Sequence, residues 1–145
     1  ALIEGGIKVD LDHPSGFSPL AFAVSAGSKE IIELLVSRGV NPKELTGGEV
    51  GLTYAMIAAQ LGHLELVQYF VEQGVDFNQK SSKHNLTALW SAANAGHLEV
   101  VKWLVEQGSE LDQKGRLSSE EEFSTPIEIA EKNGHQDVAE FLNSL

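Results

Sequence analysis

The segments GHLELVQYFVEQG (residues 62–74) and GHLEVVKWLVEQG (residues 96–108) are near-copies of each other. In the first, Leu66, Val67, Tyr69, Phe70 and Val71 are apolar; in the second, Val100, Val101, Trp103, Leu104 and Val105. Apolar residues at i, i+1, i+3 and i+4 describe a helix that buries a wide face. Glu65 and Glu99 stand in the first turn, where a carboxylate meets the positive end of the helix dipole. Gly74 and Gly108 follow the last turn, where a left-handed backbone is easiest for glycine. Trp103 lies on the apolar stripe and reads as core.

Working outward, GSKEIIELLVSRG (residues 27–39) is a third copy and GHQDVAEFLNSL (residues 134–145) a weaker fourth. The leading glycines Gly27, Gly62, Gly96 and Gly134 are spaced by 35, 34 and 38 residues. The trailing glycines Gly6, Gly39, Gly74 and Gly108 are spaced by 33, 35 and 34. Two independent rulers agree on one period, the signature of a stacked repeat.

A second, shorter helix precedes each of these. It opens at Ser18, Thr53, Thr87 or Thr125, whose hydroxyl can accept from the free amides of the first turn. Pro19 and Pro126 follow where no amide hydrogen is needed. Alanines then dominate (Ala21, Ala23, Ala26; Ala55, Ala58, Ala59; Ala92, Ala93, Ala95), allowing close approach between copies. Helices this short are marginal alone, so each copy must bury its face on the next. The intervening stretches, such as VDFNQKSSKHN, are polar and suited to hairpin turns.

Composition bounds the function. The 145 residues are ordinary for a globular chain, with 42% hydrophobic and 21% charged. There is no cysteine, which removes disulfides, thiolate nucleophiles and cysteine zinc sites and fits a cytoplasmic or nuclear setting. No apolar run approaches membrane-spanning length. Ten bases against 21 acids give a net charge of −11. That surface repels phosphate backbones and anionic lipid, so nucleic acid and membrane are excluded as expected partners and a basic protein surface is favoured. Residues 110–145 hold nine acids and three bases, which reads either as a solubilising surface or as part of a binding rim. The chain opens on Ala1 and directly on an apolar stretch, so that either a piece upstream is removed or, as we expect, this is a segment of a longer protein.

The T-P-L, G-H-x-E-V-V and G-x-D-x-N elements at this period resemble the ankyrin repeat. The resemblance rests on Gly16, Ser18, Pro19, Leu20, Ala23 and Gly27; on Thr53, Ala58, Gly62, His63 and Glu65; on Thr87, Leu89, Ala92, Gly96, His97 and Glu99; and on Thr125, Pro126, Ala130, Gly134 and His135. It implies one all-α domain, a solenoid of helix-turn-helix units joined by β-hairpin-like loops. Residues 1–12 would end a truncated repeat, followed by repeats at 13–47, 48–81 and 82–115, with an insertion and the fourth repeat at 116–145. Tyr54 and Ala88 depart from the family at its proline, and Met56 and Trp90 at its histidine. The stretches 41–50 and 112–123 are longer than a standard connection.

As a family, ankyrin solenoids bind proteins on a concave face made by hairpin tips and inner helices. Carried over position by position, this implies a partner surface of Phe17, Ser25, Glu49, Val50, Leu52, Met56, Gln60, Lys83, His84, Leu86, Trp90, Asn94, Glu121 and Glu122, with Ser15 and Lys132 beside them. Phe17, Leu52 and Leu86 hold one variable position in successive repeats. They form either an apolar ladder for a partner's side chains or packing beneath their own hairpins. Glu120, Glu121 and Glu122 are either a receptor for basic side chains or a solvated loop.

The expected function is therefore a monomeric interaction module for a protein or peptide with basic or apolar anchors; the alternative is a targeting or scaffolding arm of a larger enzyme, channel or pathogen effector. Neither a cofactor nor a metal is expected. His63, His97 and His135 recur at one repeat position and read as structural caps, and no nucleophile elbow, phosphate loop or H-E-x-x-H motif is present. The family also implies a possible hydroxylation site at Asn78, in VEQGVDFN.

Overall fold

The computed structural model describes residues 18–46 and 50–145. Phe17, Glu49 and Ser15 lie outside them. Within the described residues the chain forms eight helices in four antiparallel pairs: α1 (Pro19–Ser25) with α2 (Lys29–Ser37), α3 (Tyr54–Leu61) with α4 (Leu64–Glu72), α5 (Ala88–Ala95) with α6 (Leu98–Glu106), and α7 (Pro126–Lys132) with α8 (Gln136–Asn143). The described residues contain no ladder strands, only isolated antiparallel bridges, Leu45 with Thr53 and Gly115 with Ser124.

The first helix of each pair is set by its cap. The hydroxyls of Ser18, Thr53, Thr87 and Thr125 accept from the amides of Ala21, Met56, Trp90 and Glu128 at 3.1–3.2 Å. At Thr125 the carboxylate of Glu128 also accepts from the cap's own amide, completing a reciprocal box. Gly39, Gly74 and Gly108 adopt positive φ after the second helices, as their spacing predicted.

Packing joins the pairs into one stack. The inner helices α1, α3, α5 and α7 lie side by side in close contact, whereas the outer helices α4, α6 and α8 barely touch. A row that packs tightly beside a row that does not must curve, with the tight row inside. Alanine explains the difference: Ala58, Ala59, Ala92 and Ala93 are wholly buried between inner helices, and none holds its neighbour away. The outer helices bury Ile32, Leu35, Leu66, Val67, Phe70, Val100, Val101, Leu104, Val138 and Leu142 against them. Each such side chain contributes about 2 kcal/mol on transfer from water. Trp103 packs half-buried against this core.

Adjacent pairs are also tied by polar links. His97 and His135 each donate a ring nitrogen to an inner-helix carbonyl of the preceding pair, that of Gln60 (3.0 Å) and that of Asn94 (3.1 Å). Ser18 and Tyr54 share a hydroxyl–hydroxyl bond of 2.7 Å, and burial raises the Tyr54 phenol above its ordinary pKa.

Candidate functional site

The connecting loops form a continuous edge beside the row of inner helices that they lead into. The amides of Ser82 and Lys83 donate to the carbonyls of Gly51 (3.2 Å) and Val50 (3.1 Å), and the amide of Arg116 donates to the carbonyl of His84 (3.1 Å). Three successive loops are thus stitched by backbone bonds. The 81–86 turn is closed by Ser81, whose amide donates to the Leu86 carbonyl while its hydroxyl accepts from the Leu86 amide and donates to the Lys83 carbonyl. His84 and Asn85 both take positive φ to complete it.

Of the residues expected to meet a partner, several lie on this edge or beside it. Val50 and Leu52 are half-buried, Lys83 and Glu122 exposed, His84 and Glu121 intermediate. Gln60 and Asn94 sit at the ends of α3 and α5 and are joined, with Asn133, in an amide ladder. The Asn94 amide nitrogen donates to the Gln60 side-chain oxygen (3.5 Å), and the Asn133 amide nitrogen donates to the Asn94 side-chain oxygen (2.8 Å). Ser25 is exposed at the end of α1, and Lys132 at the end of α7.

Met56, Leu86 and Trp90 must be corrected, because all three are buried and offer no surface. Trp90 fills the space under the last loop, and its indole nitrogen donates to the Ser124 carbonyl at 2.8 Å. Leu86 packs on Gly115 of the next loop, where a β-carbon would come within 3.2 Å of it. Met56 takes the equivalent interior position in α3. Among the described residues no exposed apolar ladder is formed: Leu86 packs beneath its hairpin and Leu52 is half-covered, while Phe17 lies outside the described residues.

The 116–123 loop supplies what the repeat positions did not point to. Leu117 is 50% exposed and Phe123 41%. Arg116 organises the loop from within. Its guanidinium donates to the carbonyls of Ser119 and Glu121, both at 3.2 Å, and lies 4.3 Å from the centre of the Phe123 ring. The Glu121 carboxylate accepts from the Leu117 amide at 3.3 Å. The sequence signal was present: two large apolar residues bracketing the polar run SSEEE, in a segment with no helical periodicity.

Asn78 is engaged as well. Its side-chain oxygen accepts from the Glu110 amide (2.9 Å), clipping the loop after α4 to the loop after α6. Among the described residues no group of His, Asp and Glu is placed to hold a metal, and no helix is long and apolar enough to cross a membrane.

Comparison with known proteins agrees with this architecture. Residues 55–144 match a family model of ankyrin repeats in three copies, and residues 15–46 match the single ankyrin repeat. The chain is similar to the Mus musculus "Ankyrin repeat and SAM domain-containing protein 6", with 36% identity over 57% of this chain and 9% of that protein. It is also similar to the "Calmodulin-binding transcription activator CBT" of Oryza sativa subsp. japonica, with 32% identity over 59% of this chain and 11% of that protein. The chain thus spans about a tenth of the length of these relatives. Ankyrin repeats are generally protein–protein interaction modules. With four stacked helix pairs and both models matched, this chain belongs to the ankyrin repeat family.

Proposed function

We propose that this domain binds a protein or peptide carrying both basic and apolar groups, along the loop edge of its concave side, and does so as a monomer in the cytoplasm or nucleus. The observation that carries the reading is the 116–123 loop. An arginine spent on internal bonds holds Leu117 and Phe123 in the solvent beside Glu120 and Glu122, both exposed. Large apolar side chains held out by a structured loop are suited to anchoring a partner, and the surrounding carboxylates select its charge. No catalytic role is assigned to any residue.

The test is binding to an array of peptides that combine Lys or Arg with Leu or Phe, against acidic counterparts. Basic–apolar peptides should bind preferentially, more weakly as salt rises. The Leu117→Ser, Phe123→Ser double variant should lose about tenfold in affinity while keeping its helical content, since 1.4 kcal/mol is a modest loss for two anchors. Equal binding of acidic peptides, or undiminished binding by the variant, would overturn the reading. Leu86→Ser does not serve here, because it empties a core position.

A second reading, that the domain is the targeting arm of a larger protein, is favoured by the small fraction of each relative that the chain covers. Asn78 is proposed as a substrate for asparaginyl hydroxylation. Incubation with such a hydroxylase should add one oxygen to the wild-type mass and none to Asn78→Ala; no addition to the wild type discards it.

A further inference from the structure

Two hydroxyls of the chain are followed by carboxylates at both the first and the third position: Ser109, before Glu110 and Asp112, and Ser119, before Glu120 and Glu122. In an extended segment those two positions share one face, so each pair of acids would meet a basic cleft together. The fold separates the two serines. Ser109 is buried, and its amide is tied to the Leu104 carbonyl at the end of α6 (3.1 Å). Ser119 is exposed, and so are Glu120 and Glu122. Ser118 beside it differs, because the acid at its third position is Glu121, whose carboxylate already accepts from the Leu117 amide.

The loop that holds Ser119 can be drawn out without opening the stack. Its base is the Gly115–Ser124 bridge, whose two backbone bonds are both 2.9 Å. Above that base a backbone turn is closed by the Glu121 amide on the Ser118 carbonyl at 3.3 Å, and side-chain bonds of Arg116 and Glu121 add to it. An exposed loop held by so few bonds opens locally at small cost, as an enzyme acting on a side chain at its tip requires.

Arg116 supplies the second, independent observation. Its guanidinium donates to the carbonyl of Ser119 itself at 3.2 Å, and its Nε is buried without a hydrogen-bond partner. A phosphoryl group on the Ser119 hydroxyl would begin within one residue's width of that cation. A charge-assisted bond to phosphate is stronger than the bonds that Arg116 makes to neutral carbonyls. We propose that Ser119 is a phosphorylation site for a serine/threonine kinase with a basic substrate cleft, and that Arg116 receives the phosphate. Kinases choose among accessible hydroxyls by the charge that flanks them. In the transfer the Ser119 oxygen bonds to the γ-phosphorus of ATP. The bond from that phosphorus to the oxygen bridging it to the β-phosphate breaks, ADP leaves, and the hydroxyl proton passes to the kinase's base. The loop gains about −1.5 to −2 of charge, part of it neutralised by Arg116.

The test is to incubate the full chain with a purified acidophilic serine/threonine kinase, ATP and magnesium ion, and to follow intact mass and fragment masses. The mass should rise by one phosphoryl group, placed on Ser119. Ser119→Ala should abolish the gain and Ser118→Ala should leave it. Glu122→Gln should slow the reaction by about tenfold, as loss of one charge contact with the cleft predicts. No gain in mass, a phosphate on Ser118 or Ser109, or an undiminished rate with Glu122→Gln overturns the site. The role of Arg116 is read separately, by amide exchange at one pH. Phosphorylation should slow exchange in residues 117–123 by about tenfold in the wild type, the effect of one charge-assisted bond. Phosphorylated Arg116→Gln, compared with its own unmodified form, should show no such slowing. Unchanged or faster exchange in the phosphorylated wild type, or equal slowing in the variant, removes Arg116 as the receiver. Mass and exchange both report independently of whether the loop docks a partner.

Discussion

Two residue-scale devices hold the repeat together. Gly62 and Gly96 sit at the ends of α3 and α5 with φ of +78° and +80°, and a β-carbon on either would lie within 2.5–2.7 Å of the ring of His97 or His135. Glycine is needed twice over, for its left-handed backbone and for the space the next repeat's histidine takes. The second device is Glu128, whose pKa is lowered chiefly by hydrogen bonding to the Thr125 backbone amide and side chain. A carboxylate lowered in the folded state contributes stability that is present above its unfolded pKa and is lost as pH falls through its folded one. Protection of the amides at the start of α7, taken as exchange relative to the intrinsic rate at each pH, should therefore fall on acidification below the ordinary glutamate range. Glu128→Gln should flatten that dependence, as hydrogen exchange measured from pH 6 down to pH 3 would report.

At the scale of elements, the loops are as much part of the fold as the helices. Trp90 on α5 reaches the Ser124 carbonyl, so the last loop is fastened to the third pair before the fourth begins. Trp90→Phe removes that donor and leaves a partial cavity, and should cost about 1–3 kcal/mol in urea unfolding. Exchange should quicken in residues 113–124 more than in α1 and α2, because the bond lost is local. A variant with unaltered loop exchange would show that the loop is held by Arg116 and the helix cap alone.

The whole molecule is curved because its two rows pack unequally, and the inner row sets the curve. Ala92 on α5 lies fully buried in that row, whose α5 contacts α3 on one side and α7 on the other. Ala92→Leu forces extra volume into a row closed by alanines and should destabilise by about 1–3 kcal/mol, measurable by thermal or urea denaturation. Each pair touches only its neighbours, so the loss should concentrate around α3, α5 and α7 and spare α1 and α2. Uniform loss across all four pairs would show coupling longer than nearest-neighbour.

The repeat, its helix pairs, their hydroxyl caps and their glycine ends were all legible in the residues, because periodicity and capping act within one copy. The candidate site was legible only in part. Val50, Leu52, Lys83, His84, Glu121 and Glu122 lie on or beside the loop edge, while Met56, Leu86 and Trp90 are interior. Whether such a residue faces solvent depends on what the next repeat places above it: Gly115 makes room for Leu86, and the Ser124 carbonyl receives Trp90. Neither partner is within 25 residues along the chain. The exposure of Leu117 and Phe123 was likewise decided by Arg116, which folds their loop upon itself. The repeating chemistry thus determined the helix pairs and that they must stack; burial between copies, a property of neighbours in space, determined which surface is left to bind.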